Sequence, residues 1–226
     1  AQRFPARQRY RAADDRGADG RAVVVDGAWF ILDAPAEVDA IWGTGSQVLW
    51  APGEALMIAG PQGVGQTTLA GLLVKALLTG GDALGLPAAP YRGRVLYLAM
   101  DRPRQIARSL RRQFSEEHRE LLADRLVVRP GPLPADVAAQ PLLLAGLAEE
   151  YGAGVLFVDS LKDAAVGLTD DAVAARYNRA RQHLLATGCQ VAELHHVIKR
   201  TSRGDHPAAA VDAIYGSTWL TSGAGS

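Results

Sequence analysis

A glycine-rich loop at residues 60–68 is the feature of this sequence most suited to chemistry. It reads Gly-Pro-Gln-Gly-Val-Gly-Gln-Thr-Thr and lies between an apolar run of strand length and a helical pattern. The order matches the phosphate-binding pattern G-x-x-x-x-G-K-[ST] at every fixed position except one. Glycines let backbone N–H groups turn towards a phosphate, and the following helix adds its positive end. The loop predicts ATP binding, with a plain strand-to-helix turn as the alternative. The predicted nucleotide-binding residues are Gly60, Pro61, Gln62, Gly63, Val64, Gly65, Gln66, Thr67 and Thr68.

The exception in this pattern is Gln66, which stands where the pattern has lysine. A glutamine amide can donate a hydrogen bond, but it carries no charge to neutralise the β- and γ-phosphates. We therefore expect ATP to bind while hydrolysis is impaired, and we count Gln66 among the candidate catalytic positions. Two origins of the glutamine stay open: a natural pseudo-ATPase and an engineered substitution.

An acidic residue ends a second apolar run, VLFVDS at residues 155–160. An aspartate in this place is typical of a Walker B strand, where Asp159 holds Mg²⁺ together with the Thr67 hydroxyl. The alternative role for an aspartate at a strand end is a helix cap. The phosphate loop favours the metal role, so the sequence predicts Mg²⁺ at Thr67 and Asp159.

Polar residues also end two other predicted strands. Asp101 could orient or deprotonate an attacking water, or it could cap the helix that opens at Pro103. His195 and His196 are adjacent in a strand and so point to opposite faces, which argues against one metal ion held by both. His196 is a candidate sensor of the γ-phosphate, and a core histidine is the alternative.

Two clusters of basic residues could contact phosphates. Lys199, Arg200 and Arg203 follow the last predicted strand in a loop, and we expect them to contact DNA or the nucleotide of a neighbouring subunit. The predicted helix after Asp101 carries arginines and no acids over residues 102–112. A solvated charged face is the simplest explanation for that helix, and a DNA contact is the alternative.

The elements that must position these residues alternate between strand-length and helical patterns. Such alternation predicts an α/β fold, a mostly parallel sheet with helices on both faces. Ligands of such sheets bind beyond the carboxyl ends of the strands, where the polar residues above are found. The predicted strands are 56–60, 95–101, 126–129, 155–160 and 190–196, and the predicted helices are 67–78, 103–114, 116–122, 135–151 and 171–187.

Length and composition predict one domain. The 226 residues carry 24 basic and 24 acidic side chains, so no net field attracts the whole chain to nucleic acid or to a membrane. The single cysteine, Cys189, excludes an intramolecular disulfide and fits a cytoplasmic protein, and no apolar run is long enough for a membrane span. Residues 1–22 predict a flexible basic arm, and residues 23–226 the domain, whose residues 23–52 form short lead-in strands.

Five motifs together resemble the RecA-like P-loop ATPases of the RepA hexameric replicative helicase group: GPQGVGQTT, LYLAMDRP, VLFVDS, TGCQVAELHHVIKR and YGSTWLT. The resemblance covers residues 50–226 and implies a RecA-like NTPase fold, a ring or filament of identical subunits, and single-stranded DNA as partner. It places Asp101 at the catalytic acid and His196 at the phosphate sensor.

The same resemblance makes Lys199, Arg200 and Arg203 candidates for the basic residues that reach a neighbour's nucleotide. It also implies further strands beyond residue 226, so we expect a truncated C-terminus. The rival function is a regulatory ATP-binding module whose oligomeric state responds to nucleotide and which does not translocate.

Overall fold

The computed structural model describes residues 26–33, 39–197, 214–222 and 224. The basic arm predicted at residues 1–22 and the basic cluster Lys199, Arg200 and Arg203 lie outside these ranges. The strands are β1 (Trp42–Thr44), β2 (Gln47–Trp50), β3 (Ala55–Gly60), β4 (Gly81–Ala83), β5 (Leu86–Ala88), β6 (Arg94–Ala99), β7 (Leu126–Pro130), β8 (Ala153–Asp159) and β9 (Gln190–His196). The helices are α1 (Gly27–Leu32), α2 (Gln66–Thr79), α3 (Pro103–Arg111), α4 (Arg119–Arg125), α5 (Leu143–Tyr151), α6 (Leu161–Ala164), α7 (Asp171–Ala186) and α8 (Thr218–Ser222), and a 3₁₀ turn spans Glu116–His118.

Five parallel strands form the central sheet in the order β3-β9-β8-β6-β7. The chain leaves β3 at one edge, skips two places to β6, and returns later to fill the gap with β8 and β9. Parallel pairing with helical crossovers puts helices on the faces of the sheet. The arrangement confirms the α/β prediction, and it is that of a RecA-like P-loop NTPase.

The hydrophobic core lies on both faces of this sheet, as the alternation along β6 shows. Val95 and Tyr97 point into the core beneath α2, whereas Leu96 and Leu98 pack with the residues of α5 and α7. All four side chains are fully buried. Strands covered on both faces are continuously apolar, which is why the sequence predicted them well.

A small antiparallel sheet in the order β2-β1-β5-β4 covers the outer side of the core that lies beneath α2. Trp42 fastens it by donating its indole N–H to the carbonyl oxygen of Ala83 at 3.0 Å, and Trp50 meets the ring of Phe157 edge-on. The lead-in prediction was right for β1 and β2 but missed β4 and β5. It was wrong for α1, where the run Trp-Phe-Ile-Leu forms a helix and not a strand.

One predicted helix is shorter than its periodicity suggested. Residues 135–142 form turns, and only Leu143–Tyr151 is helical. The Asp136 carboxylate accepts hydrogen bonds from the backbone N–H groups of Ala138 and Val166, a local pairing that competes with a helix. Pro141 also lacks an N–H. Within the described ranges, no helix has both the length and the apolar character needed to cross a membrane.

A buried charged cluster joins α7, β9 and α8. The Arg181 guanidinium donates to both carboxylate oxygens of Glu193, at 3.1 and 2.7 Å, and to the carbonyl oxygen of Leu220 at 2.9 Å. Tyr177 donates its hydroxyl to the same carboxylate at 2.9 Å. Arg181 and Glu193 are fully buried, so each charge depends on the other for compensation.

Glu193→Gln should destabilise the fold strongly, because it leaves the Arg181 guanidinium buried without a counter-charge. We expect the free energy of unfolding to fall by about 3–5 kcal/mol, measured by chemical denaturation. The same change at the exposed Glu150 is the control and should alter it by less than about 0.5 kcal/mol. Equal effects of the two substitutions would contradict this account of the cluster.

Candidate functional site

The glycine-rich loop leaves β3 at Gly60 and enters α2 at Gln66. Gly63 and Gly65 have φ angles of +88° and +104°, which side chains other than hydrogen rarely allow. A Cβ on Gly60 would lie 3.0 Å from the Val64 side chain, so the loop folds closely over the strand end. The first helical hydrogen bond of α2 runs from Leu69 to Gly65, which leaves the preceding amides at an open helix terminus suited to a phosphate.

The Gln66 side chain turns away from that terminus. Its Nε2 donates hydrogen bonds to the carbonyl oxygens of Ile58, at 3.2 Å, and of His195. These carbonyls belong to the neighbouring strands β3 and β9. The amide therefore ties the start of α2 to the sheet, and it adds no charge to the cleft.

Two hydroxyl groups converge on the carboxylate at the end of β8. Thr67 donates its Oγ1 hydrogen to Asp159 Oδ2 at 3.1 Å, and Tyr97 donates its hydroxyl to the same oxygen at 2.7 Å. Tyr97 is held by stacking on Phe157, with ring centroids 5.7 Å apart. Oxygen ligands of this kind suit Mg²⁺, so Thr67 and Asp159 are placed together as the metal prediction requires.

Burial has the largest effect on the electrostatics of this carboxylate. Asp159 is only 7% exposed. Desolvation raises the pKa of Asp159 above its ordinary value of 3.8, while the hydrogen bonds from Tyr97 and Thr67 act in the opposite direction. The nearby Asp163 and Asp101 add to the rise. A buried anion with this pKa shift is a place where a bound cation would be stabilising.

Asp101 lies at the mouth of the same cleft between two cations. Its carboxylate oxygens are 3.6 Å from Arg102 Nε and 3.4 Å from Lys162 Nζ, and its side chain is 36% exposed. The residue at the N-cap of α3 is Arg102, and no side chain caps that helix. The capping alternative for Asp101 is therefore wrong, and the carboxylate is left facing the cleft.

The side chains of the two histidines at the end of β9 lie in different surroundings, as the alternation of side chains along a strand predicts. The His195 ring is fully buried and bonds to the carbonyl oxygen of Tyr215, and burial lowers its pKa. His196 lines the cleft together with Thr67 and Asp159. His195 is thus the core histidine, and His196 keeps the position expected of a phosphate sensor.

The cleft has a volume of about 310 Å³ and its second wall is helix α3. Arg102, Gln105, Arg108, Ser109 and Arg112 line it opposite the loop. Sequence reasoning assigned these arginines to solvent or to DNA and missed their place in the cleft. The available signal was the spacing of three and four residues among Gln105, Arg108, Ser109 and Arg112, which puts these side chains on one helix face just after a strand end.

A comparison with known protein families assigns this chain to a family. The sequence profile of the AAA domain family matches residues 15–202 of this chain. The chain belongs to the AAA domain family. A comparison with curated protein sequences gave no match.

Membership agrees with the geometry of the site. This AAA domain is a nucleotide-binding P-loop ATPase domain by family, and its glycine-rich loop has the matching form. The closer kinship with the RepA helicase group stays a prediction, as do the roles of Asp101 and His196. Tyr97 and Lys162, which contact the two acids of the site, were not predicted, because nothing in a strand pattern distinguishes a hydrogen-bonded tyrosine from a core aromatic.

The raised pKa of Asp159 predicts a pH-dependent stability of the metal-free AAA domain. Folding disfavours the ionised carboxylate. The resulting loss of folding stability is absent at low pH, and it appears as the pH rises above the ordinary pKa of the carboxyl group. Asp159→Asn keeps an acceptor for Tyr97 and removes the charge. We expect a higher Tm than the parent near pH 8 and a smaller difference near pH 4.5.

Thermal denaturation without metal or nucleotide measures this difference. Asp82→Asn, at an exposed aspartate of β4, is the matched control and should leave the Tm nearly unchanged at both pH values. A lower Tm for Asp159→Asn than for the parent at both pH values would contradict the assignment of desolvation as the dominant cause.

Proposed function

We propose that this AAA domain binds ATP with Mg²⁺ in the cleft and hydrolyses it slowly. The observation that carries the proposal is the convergence of three features on one cleft: the loop of Gly63 and Gly65, the open terminus of α2, and the Thr67–Asp159 pair. Backbone amides at a helix terminus bind phosphates without help from a lysine. The nucleotide phosphates therefore have a place even with Gln66 in the loop.

Thr67 and Asp159 are the residues that would hold Mg²⁺. When bound, the ion would supply positive charge that neutralises the nucleotide phosphates. The Thr67 hydroxyl, which donates to Asp159, would turn its oxygen lone pairs towards the metal, and Tyr97 would keep the carboxylate oriented. Thr67 lies in the first turn of α2 and Asp159 ends β8, and the hydrogen bond between them already brings both side chains together.

Hydrolysis depends on the groups at the cleft mouth. Asp101 is the proposed base that orients the attacking water, and His196 the proposed sensor of the γ-phosphate. Lys162 and Arg102 lie within ion-pair distance of the Asp101 carboxylate and would hold it in position. Gln66 contributes no charge to the phosphates, and loss of one strong donor to a transition state typically costs about 10²–10³ in rate.

We further propose that the domain acts as a homo-oligomeric ring or filament that couples ATP to single-stranded DNA. The support is the sequence resemblance to the RepA helicase group, together with the basic cluster Lys199, Arg200 and Arg203. These residues follow β9 in the sequence, and β9 ends beside the first residue of the loop, where His196 pairs with Gly60. Basic side chains that are clustered on a chain without net charge attract DNA locally, and salt weakens this attraction.

A regulatory ATP-binding module is the second candidate. The engagement of Gln66 by the carbonyl oxygens of Ile58 and His195 favours it, since a structural role for this glutamine fits a domain that binds without turnover. In that case nucleotide would change the oligomeric state, and DNA would have no effect.

The first test of the proposal is nucleotide binding itself. Titration with a fluorescent ATP analogue should give a Kd below about 1 mM with Mg²⁺. Thr67→Ala should weaken the Mg²⁺-dependent binding by about tenfold, because it removes a ligand and a donor to Asp159. Thr79→Ala, at the exposed far end of the same helix, is the control. No binding by a folded sample would end the proposal.

Gln66→Lys should raise the rate of ATP hydrolysis at least about tenfold, because the restored charge acts most on the developing phosphoryl charge. Gln47→Lys adds the same charge at an exposed residue of β2 outside the cleft and should change the rate little. Steady-state phosphate release measures both. A flat rate with tighter binding would place the defect at Asp101.

Single-stranded DNA added to the same assay separates the two candidates. A motor should be stimulated by DNA, and the stimulation should disappear when Lys199, Arg200 and Arg203 are all changed to alanine. Nucleotide-dependent oligomerisation without any DNA effect would favour the regulatory module.

A further inference from the structure

Helix α3 presents a polar and cationic face to the nucleotide cleft. Gln105, Arg108, Ser109 and Arg112 recur at helical spacing and line the cleft, while Ile106 and Leu110 are buried against the core. The face therefore belongs to the site by geometry. A purely solvated charged face would not line a cleft with the phosphate loop.

Outside α3 and its two flanking residues, none of the described residues that line the cleft is a lysine or an arginine. The loop itself, residues 60–68, contains no lysine or arginine. Gln66 is engaged by the carbonyl oxygens of Ile58 and His195. In the part of the chain that the structure describes, the arginines that line the cleft are Arg102, Arg108 and Arg112, all from α3 or its two flanking residues.

Of these three, Arg108 and Arg112 are available for a ligand. Arg102 is paired with Asp101 at 3.6 Å. In the described part of the chain, neither Arg108 nor Arg112 has a carboxylate within 4.0 Å. A guanidinium without an internal partner keeps its full fork of donors for phosphate oxygens.

Close packing holds α3 against the first turns of the loop helix α2. Ser109 Oγ lies 3.3 Å from Thr68 Oγ1, a hydrogen bond that joins the two helices beside the loop. At Gly71, a Cβ would lie 3.1 Å from Leu110 and 3.2 Å from Gln113, so the glycine permits this approach. The arginine face is thereby positioned next to the helix terminus that would bind phosphate.

We propose that Arg108 and Arg112 bind the terminal phosphates of the nucleotide and supply, from the same subunit, the charge that Gln66 does not. The inference rests on the proposed function, because it needs the triphosphate in the loop. Its consequence is selectivity: a pair of guanidinium groups at this end of the cleft favours a triphosphate over nucleotides with fewer phosphates. It also makes the affinity for ATP sensitive to salt.

The test compares two double variants that remove the same charge from the same helix. R108Q/R112Q removes the cleft arginines, and R104Q/R111Q removes two exposed arginines that do not line the cleft. Titration of the full chain with ATP, ADP and AMP gives each Kd. We expect R108Q/R112Q to weaken ATP binding by about tenfold per arginine and AMP binding by less than about twofold.

R104Q/R111Q should leave all three affinities within about twofold of the parent. R108K/R112K keeps the charges and should retain most of the ATP affinity. That result would show that the effect of the glutamine substitutions is electrostatic. Adding Gln66→Lys to R108Q/R112Q should recover about tenfold in ATP affinity, because the loop lysine and the helix arginines serve the same phosphates.

Several outcomes would overturn this inference. Equal effects of the two glutamine double variants would leave only a general charge effect. An ATP affinity unchanged in R108Q/R112Q, with normal binding by the parent, rejects the arginine role and leaves the proposed function standing. Loss of single-stranded DNA binding without loss of ATP binding would assign the face to DNA instead. No nucleotide binding by the parent would reject both proposals.

Discussion

Parallel pairing of β3, β9, β8 and β6 is the constraint on which the site depends. It brings the carboxyl ends of four strands to one edge, so Gly60, Asp101, Asp159 and His196 meet although they are far apart in the chain. The pairing in turn requires strands buried on both faces, with helices as crossovers. The two hydrophobic cores therefore do more than stabilise the domain, because they set the distances between its polar strand ends.

Charge in the cleft is distributed in an unusual way for a phosphate loop. Asp159 is buried and Asp101 partly exposed, whereas the arginines that line the described part of the cleft come from α3 and its two flanking residues. The loop contributes backbone dipoles and no formal charge. In such a site, backbone amides recognise the phosphates and side chains neutralise their charge. The amides and the side chains lie on different elements and can be altered independently.

Strand β9 links this cleft to the C-terminal segment. Its Glu193 is held by Arg181, which also binds the carbonyl oxygen of Leu220, and its His195 bonds to Tyr215. The carbonyl oxygen of His195 accepts the Gln66 amide as well. The loop glutamine and the segment 214–222 are thus hydrogen-bonded to the same strand, or to the arginine that pairs with it.

The sequence by itself determined the parallel sheet, the glycine-rich loop and the polar strand ends, because buried strands and phosphate loops are local patterns with fixed spacing. Helix 135–151 was overestimated, since the capture of backbone amides by Asp136 depends on Val166, which is distant in sequence. Only the tertiary structure decided the direction of the Gln66 amide, the burial of Arg181 with Glu193 and the turning of Arg108 and Arg112 into the cleft. Each of these depends on which element packs against which, and a residue pattern carries periodicity but not the identity of the neighbour across a packing interface.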